Sequence, residues 1–303
     1  MKSNSKRVAP KSTPLVSIVI VAGPKRKKEL LNCLLSIEKS SYKRYEAIVV
    51  DNSQSPKLKT QILTQYPQTK YIVMPHNVGV LGYNIGLINA KGDYILTLDD
   101  DCTINPDTLK NIVSIFAKKP KKVAVLATNL YEPPSQSFAY ESYLNHKTKK
   151  LLTISNASVF RKDVFTKTGF FDADLFLWVH EDDLAIRIID NNMEIHFEPK
   201  IIVNHHLEKN RPFRKKMAFF LCRNLAWFNY KHFSWYFIPL MIIRNLITII
   251  LMPVKRKVPQ ALFYCLAGYL IGLLSFATPL KKRKVVKKQI QKKYLRFYFL
   301  NKL

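Results

Sequence analysis

The sequence predicts an α/β fold with a largely parallel sheet covered by helices on both faces, followed by a basic helical region. In the first half, apolar stretches of strand length alternate with stretches in which apolar residues recur at helical spacing. The last third instead holds two long apolar runs flanked by clustered lysine and arginine. Strands alternating with helices are typical of parallel sheets with both faces buried.

The elements are predicted in the following order. The predicted strands are residues 15–21 (LVSIVIV), 45–50 (YEAIVV), 71–74 and 93–98 (DYILTL). The predicted helices are residues 29–40, residues 82–90, a helix with Asn105 as N-cap and Pro106 in its first turn, and a helix that begins near Glu181. Between the last two, residues 151–160 form an apolar stretch and a loop surrounds Gly169.

Net charge and cysteine content limit the partners and the cellular environment that the sequence predicts. The 303 residues carry 49 Lys and Arg against 21 Asp and Glu, a formal charge of +28, which points to nucleic acid or an anionic membrane as partner. Residues 207–303 hold 21 of the basic residues and one acid, Glu208. Four cysteines without a CxxC pair indicate neither a disulfide framework nor a zinc site, so we expect a reducing cytosolic environment. Pro24 and the charges Lys25 to Glu29 interrupt the apolar stretch after Val21, so we expect no signal peptide.

The two apolar runs, residues 235–252 and 258–280, are separated by Lys255, Arg256 and Lys257. As helices they would be about 27 and 34 Å long, against a hydrocarbon core of about 30 Å. A spanning hairpin would place the three basic residues on the outer face, against the positive-inside tendency. We therefore favour helices lying at an anionic membrane surface, with a hairpin as the alternative, and expect the GxxxG of Gly268 and Gly272 to be incidental.

Acidic residues directly follow two predicted strands. Asp51 follows one, and Asp99, Asp100 and Asp101 follow another. Ligands of open α/β sheets collect at the carboxyl ends of strands, and Mg²⁺ or Mn²⁺ takes carboxylates together with phosphate oxygens. The triplet therefore predicts a clamp for a nucleotide diphosphate, although a solvated acidic turn, or a helix cap for Asp51, is the alternative.

Several motifs occur in a fixed order. Residues 76–101 read HNVGVLGYNIGLINAKGDYILTLDDD, and the later motifs are GFFD (169–172), HEDDLAIR (180–187), EP (198–199), VNH (203–205) and RN (223–224). This series resembles family 2 glycosyltransferases over residues 15–232. In that family an N-x-G turn, a helix and a K-G-D-Y strand lead to a metal-binding D-x-D.

The resemblance implies a GT-A fold and sugar transfer with inversion at the anomeric carbon. It implies that Asp51 contacts the nucleoside and that Asn77, Asn84, Asp99 and Asp100 belong to the nucleotide-sugar site. Asp101, with Asp99, would bind the Mg²⁺ or Mn²⁺ that bridges the diphosphate. His205 is either a further metal or diphosphate contact or a loop histidine beside His206.

An inverting transfer needs a general base for the acceptor hydroxyl, and the acids Glu181, Asp182 and Asp183 supply it. The family pattern E-D-x-D-L-x-x-R has its first Asp as base, but this chain lacks one residue of it. We assign the base to Asp182. If Asp183 and Arg187 match the later part of the pattern, the base is Glu181 instead. Asp183 and Arg187 also suit a helix start with an i,i+4 ion pair.

We therefore expect a GT-A catalytic domain in residues 1–206 and a membrane-associating helical region in residues 207–303, at the cytoplasmic face of the cell membrane. The expected activity is metal-dependent transfer of a hexose or deoxyhexose from a nucleotide sugar to a hydroxyl of a glycan or lipid-linked acceptor, in cell-envelope polysaccharide synthesis. The turn Val21-Ala22-Gly23-Pro24-Lys25 departs from the family's T-Y-N-R-like turn, so the nucleotide base is not predicted.

Two other functions remain open. A non-catalytic glycan-binding or scaffold protein of the same fold would explain the motif departures. A nucleic-acid-binding protein is suggested by charge alone, but the basic residues flank uncharged runs of lipid-spanning length, so we expect no nucleic-acid partner.

Overall fold

The computed structural model describes residues 13–24, 26–138, 150–155, 157–207, 215–255 and 257–301. Lys25, Glu208 and Arg256, which were named above, lie outside these ranges.

The described residues form one ten-stranded sheet in the order β3-β2-β1-β4-β9-β6-β10-β5, with β7 on β6 and β8 on β10. The strands β1 to β4 pair with one another only in parallel, and β6 pairs in parallel with β10. Between these halves β9 runs antiparallel to both β4 and β6. The strands are β1 Val16–Ala22, β2 Tyr45–Asp51, β3 Lys70–Val73, β4 Tyr94–Asp99, β5 Cys102–Ile104, β6 Val123–Glu132, β7 Ser137–Phe138, β8 Lys150–Leu151, β9 Ser158–Arg161 and β10 Glu194–His205.

Helices cover both faces of the sheet. Alternate residues of β1 face opposite layers, so Ile18 and Ile20 join one apolar cluster with α1 and α4, whereas Val19 joins another with α3 and α6. This two-sided burial explains why β1 is a continuous apolar run. The helices are α1 Lys27–Glu38, α2 Pro56–Gln65, α3 Leu81–Asn89, α4 Thr108–Lys118, α5 Val164–Thr168, α6 His180–Asp190, α7 Lys215–His232, α8 Ile238–Lys255, α9 Ala261–Leu274, α10 Ala277–Leu280 and α11 Lys288–Asn301.

The α/β prediction is confirmed, although several elements differ, and two of the differences concern helices in the first half of the chain. The sequence analysis missed α2, whose N-cap Ser55 accepts a hydrogen bond from the Leu58 amide at 3.3 Å. The helix predicted to start at Asn105 begins at Thr108, because residues 102–104 pair with β10 and the next residues form a turn.

The C-terminal helices share a core with the α/β part. One apolar cluster combines Ile186 of α6 with Phe228 of α7, Met241 of α8 and Tyr294 of α11. Residues before and after position 206 therefore pack on one another. The division of the chain into two domains at that position stays a prediction from sequence.

Gly268 and Gly272 of α9 lie directly on α7. A β-carbon on Gly268 would stand 2.3 Å from the carbonyl oxygen of Phe219, and one on Gly272 would stand 2.6 Å from that of Arg223. These distances leave no room for a side chain, so the glycines allow close approach of the two helices. The expectation that this GxxxG is incidental is wrong.

Among the described residues, one helix is long and apolar enough to cross a membrane: α8, of which a third is buried in the protein. The second apolar run divides into α9, with 14 residues, and the short α10. A 14-residue helix is about 21 Å long, which is less than the hydrocarbon thickness of about 30 Å.

Candidate active site

The carboxyl ends of β1, β2 and β4 bring the predicted acids to one edge of the sheet. Ala22 at the end of β1 pairs with Asp51, and Val21 pairs with Asp99. The register of the parallel strands therefore places Asp51 and Asp99 on either side of β1, as the sequence predicts for a ligand site.

Asp99 and Asp100 are held by different neighbours. Asp99 accepts a hydrogen bond from the hydroxyl of Tyr83 on α3. Asp100 accepts one from the Gly23 amide at 2.7 Å. Burial raises the pKa of Asp100 to about 7, with Asp101 and Asp99 adding to the increase and Gly23 and Arg26 opposing it. The Asp100 carboxylate is thus fixed against the turn after β1.

Asp101 forms the centre of a candidate metal site with His205. The antiparallel pairing of β5 with β10 places His205 opposite Cys102, so Nε2 of His205 lies 3.4 Å from Oδ1 of Asp101. That buried oxygen receives no hydrogen bond within the described part of the chain. Burial alone would raise the pKa of Asp101, but His205 and Arg26 lower it to about 2. An ionised carboxylate with an unused oxygen beside an imidazole fits Mn²⁺ or Mg²⁺.

Two neighbours complete the environment of this site. The Cys102 thiol lies within 4.8 Å of the ligand atoms of Asp101 and His205, and burial raises its pKa well above the usual value. Arg26 donates to Oδ2 of Asp101 and lies 3.6 Å from Oδ1 of Asp100. Its single positive charge offsets part of the charge of the acidic triplet and leaves Oδ1 of Asp101 for a cation.

Asp51 and Asn77 lie at the predicted edge but already have protein partners. The carboxylate of Asp51 is buried and accepts hydrogen bonds from the Ser53 amide at 2.6 Å and the Tyr71 hydroxyl at 2.8 Å. Asn77 is exposed and accepts a hydrogen bond from the Gly79 amide at 2.9 Å, which shapes the N-x-G turn. Gly79 has φ of 58°, a left-handed conformation that favours glycine.

Asn84 has a structural function here. Its Nδ2 donates to the Phe171 carbonyl at 2.8 Å, and its Oδ1 accepts from the Phe171 amide at 3.0 Å. These two hydrogen bonds connect α3 to the loop that precedes the acidic segment. The predicted contact of Asn84 with the nucleotide sugar stays a prediction.

The three acids at the start of α6 have different environments. Oε1 of Glu181 lies 3.2 Å from Nε2 of His180. Burial raises the pKa of the Tyr83 hydroxyl that binds Asp99, and the charge of Glu181 adds to this increase. Asp182 accepts a hydrogen bond from the Thr153 hydroxyl at 2.8 Å. Both are partly accessible, unlike Asp183. Glu181 and Asp182 are thus the two acids of this segment that are accessible from solvent.

Asp183 is fully buried among basic side chains. Arg187 donates to its Oδ2 at 2.8 Å, His232 lies 2.7 Å from its Oδ1, and Lys231 contacts the same oxygen. Burial opposes ionisation, but Lys231 and Arg187 hold the pKa of Asp183 well below its usual range. The Asp183–Arg187 pair matches the D-L-x-x-R part of the motif, which favours Glu181 over Asp182 as the base.

Several residues of the site were missed in the sequence analysis. Arg26, Tyr71 and Tyr83 bind the predicted acids, and Lys231 with His232 bind Asp183. Their partners are far away in sequence, so spacing gives no signal for most of them. Of these residues, only Arg26 had a signal in the sequence, because it belongs to the basic run after the first strand.

Comparisons with known proteins agree with this geometry. Residues 17–176 match the family described as Glycosyl transferase family 2. An uncharacterized glycosyltransferase of Haemophilus influenzae is 23% identical over 122 residues, 40% of this chain and 42% of the relative. A glucosyl-dolichyl phosphate glucuronosyltransferase of Haloferax volcanii is 26% identical over 142 residues, 40% of this chain and 45% of the relative. The matches span less than half of each curated relative.

Solved structures share the fold. A Pyrobaculum calidifontis mannosyltransferase in complex with GDP-Man and Mn²⁺ superposes with a TM-score of 0.59 and 17% identity, covering 97% of this chain and 88% of that one. Residues 1–349 of TarS from S. aureus in complex with UDP-GlcNAc give a TM-score of 0.62 and 15% identity, covering 94% and 88%. GalNAc-T7 with UDP, GalNAc and Mn²⁺ gives a TM-score of 0.60 and 15% identity, covering 78% of this chain and 52% of that one. The expected GT-A fold is confirmed.

Proposed function

The chain belongs to glycosyl transferase family 2, and from this membership we propose that it transfers a sugar from a nucleotide-diphosphate donor to a hydroxyl of a glycan or lipid-linked acceptor, with inversion and with Mg²⁺ or Mn²⁺. The observation that carries the proposal is the Asp101–His205 pair beside Asp99 and Asp100, at the sheet edge where β1, β2 and β4 end. Similar folds that bind UDP-GlcNAc, or GDP-Man and Mn²⁺, support it.

Asp101 and His205 would hold the cation, which when bound neutralises the charge that builds on the leaving diphosphate. Asp99, positioned by Tyr83, and Asp51, positioned by Tyr71, would orient the nucleotide. These roles follow from the position of each carboxylate at a strand end.

The proposed general base is Glu181, with Asp182 as the alternative. Asp183 is committed to Lys231, Arg187 and His232, so it would have to break buried ion pairs to receive a proton. A base acts on the acceptor hydroxyl and needs an accessible carboxylate, which Glu181 and Asp182 provide.

The proposed acceptor lies at a membrane. Two rows of exposed apolar side chains run along α8 and α9 at three- and four-residue spacing, with exposed fractions between 39% and 71%. We call these rows the apolar face. They are Ile243, Ile247, Ile250 and Val254 on α8, and Phe263, Leu266, Leu270 and Leu274 on α9.

The surroundings of the apolar face suit an anionic lipid surface. Lys255 ends α8, Lys257 lies between the two helices, and Trp235 and Tyr236 are exposed just before α8. Aromatic and basic residues around an apolar face are typical of helices lying at a membrane interface. With α9 too short to span, we propose interfacial attachment at the cytoplasmic face, in cell-envelope polysaccharide assembly. The Haloferax volcanii relative, which is named a glucosyl-dolichyl phosphate glucuronosyltransferase, supports this proposal.

The test is a nucleotide-sugar screen on the full-length protein. UDP, GDP and dTDP sugars are offered with Mn²⁺ or Mg²⁺, and binding is followed by thermal shift and turnover by nucleotide release. We expect one nucleotide class to bind and turn over, and Asp101→Asn to lose both. Asp163→Asn is the matched control, because this exposed acid follows β9 at the opposite edge of the sheet. Absence of binding and turnover by the wild type would contradict the proposal.

Two other functions make different predictions in related assays. A non-catalytic glycan-binding or scaffold protein of the same fold would bind its glycan without hydrolysing any nucleotide sugar in the presence of Mn²⁺. A nucleic-acid-binding protein would bind RNA or DNA and not float with liposomes. The exposed apolar face beside the basic residues favours the membrane partner.

A further inference from the structure

The loop of residues 174–179, which leads into α6, has five consecutive carbonyls bound from outside it. The Arg223 guanidinium donates to Asp174 at 2.9 Å, and the Val80 amide donates to Phe176 at 2.8 Å. The remaining three carbonyls, those of Leu175, Leu177 and Trp178, lie 2.7, 2.8 and 3.0 Å from Nδ2 of Asn224 on α7 and share its two hydrogens.

This loop has an unusual backbone. Phe176, Trp178 and Val179 have φ of 56°, 67° and 65°. The left-handed region is unfavourable for residues with a side chain, above all for a β-branched one, and such conformations persist only where surrounding contacts hold them. The carbonyl bonds to Asn224 are contacts of this kind.

The orientation of Asn224 is itself fixed. The side chain is completely buried, and its Oδ1 accepts from Nε and Nη2 of Arg223 at 3.0 and 2.8 Å. Only the other end of the amide, the donor Nδ2, then faces the loop. Arg223 also rests over the Trp227 ring, with its guanidinium carbon 4.1 Å from the ring centre.

The loop connects the two sides of the candidate active site. A β-carbon on Gly79 would stand 2.2 Å from the Phe176 carbonyl oxygen, so the loop packs directly on the N-x-G turn. At its other end the Val179 carbonyl accepts from the Asp183 amide at 2.9 Å, in the first turn of α6. Glu181 therefore stands on a helix whose start is set by this loop.

We propose that Asn224 is a positioning residue for transfer: it holds the left-handed backbone of residues 174–179 and so fixes Glu181 relative to the donor side of the site. This inference rests on the proposed function. Asn224 does not touch the reacting atoms, and its effect passes through the loop.

The test compares Asn224→Ala with Asn229→Ala. Asn229 lies on the same helix, is also buried, and its side-chain amide has no hydrogen-bond partner among the described residues. Hydrogen exchange at residues 174–179 is measured by mass spectrometry on the full chain. We expect exchange in the Asn224 variant to be faster by on the order of tenfold or more than in the wild type and in the control.

Turnover is measured with the nucleotide sugar that the screen identifies. We expect kcat of the Asn224 variant to fall by roughly 10- to 100-fold while the donor KM changes by less than about threefold. If the alanine variant does not fold, Asn224→Asp keeps the size, removes the donor, and gives the same readouts.

Two results would overturn the proposal: loop exchange equal to that of the Asn229 control, or a loosened loop with unchanged kcat. A wild type that transfers no sugar would refute the proposed function and the positioning role together, whereas an active wild type with either result above would refute the positioning role alone.

Discussion

Nε2 of His232, the last residue of α7, lies 2.7 Å from Oδ1 of Asp183 in the acidic segment of α6. Lys231 contacts the same oxygen and also lies 2.6 Å from Oδ2 of Asp172. The first helix of the basic third is thus joined to the candidate catalytic segment by buried charges. The C-terminal helices consequently contribute to the stability of the site as well as to the proposed membrane contact.

Replacing Lys231 with Met should destabilise the protein by about 3–5 kcal/mol, because it removes the cation shared by two buried carboxylates. Urea unfolding at neutral pH measures the change. Lys288→Met at the exposed start of α11 is the control, with an expected change within about 0.5 kcal/mol. A loss below about 1 kcal/mol for Lys231→Met would mean that the pair contributes little to stability.

Asp101→Asn should abolish transfer with the fold intact, since the neutral amide holds a divalent cation far more weakly than the carboxylate does. Turnover is measured across a titration of Mn²⁺ and of Mg²⁺, together with the melting temperature. Near-normal turnover at saturating cation would refute the assignment of Asp101 to the metal.

Glu181→Gln should lower turnover by about 10² to 10⁴-fold while donor binding persists, because a general base acts on the acceptor. Asp182→Asn is the paired variant, with a smaller loss expected. If Asp182→Asn is the crippling change and Glu181→Gln is mild, the base is the residue first assigned from sequence. Donor binding by calorimetry must remain for either variant to be informative about the base.

The sequence predicted the parallel half of the sheet because each strand there is a short apolar run that ends in polar or acidic residues. Asp51 and Asp99 were placed correctly at the sheet edge for the same reason. The antiparallel β9 was not predicted as such, because pairing direction depends on the path of the chain and leaves no mark in hydrophobic periodicity.

The parts of the site that sequence could not give are long-range contacts. The Asp183–Lys231 contact joins residues 48 positions apart, and Asn224 binds carbonyls 46 to 49 positions away. The alignment of Glu181, Asp182 and Asp183 with the family pattern was ambiguous for the same reason. The burial of Asp183 and its contacts with Lys231, Arg187 and His232 separate it from Glu181 and Asp182.

The free energy of unfolding should decrease as the pH is lowered through the range in which His180 titrates. Burial lowers its pKa from an ordinary 6.5 to about 4, although Asp99, Asp182 and Asp183 act in the opposite direction. Between these values the unfolded chain binds the additional proton, so the contribution of His180 to stability is complete above pH 6.5 and is lost toward pH 4, by about 3 kcal/mol.

Urea unfolding as a function of pH measures this slope. In His180→Gln the decline over that range should be shallower than in the wild type, whereas His76→Gln, at an exposed position, should leave it unchanged. Equal slopes in all three proteins would show that His180 is not the group responsible.

The apolar face can be tested by substitution rather than by truncation. A cut after His232, where the family resemblance ends, removes Val286, Ile290 and Tyr294 from the cluster that packs on α6, so it would damage the catalytic part. Leu270→Glu leaves that core intact and places a negative charge in the middle of the face. Ile88→Glu, on the exposed side of α3, is the matched control.

For interfacial attachment, Leu270→Glu should weaken binding to anionic liposomes by roughly tenfold or more, because it removes about 1.5–3 kcal/mol of apolar burial and adds repulsion from the lipid charge. Binding by the wild type should rise with anionic lipid content and weaken, without vanishing, at high salt, since salt screens only the electrostatic part. A spanning hairpin would instead resist extraction by salt and by alkaline carbonate. Full activity of Leu270→Glu on a membrane-embedded acceptor would show that the apolar face does not bring enzyme and acceptor together.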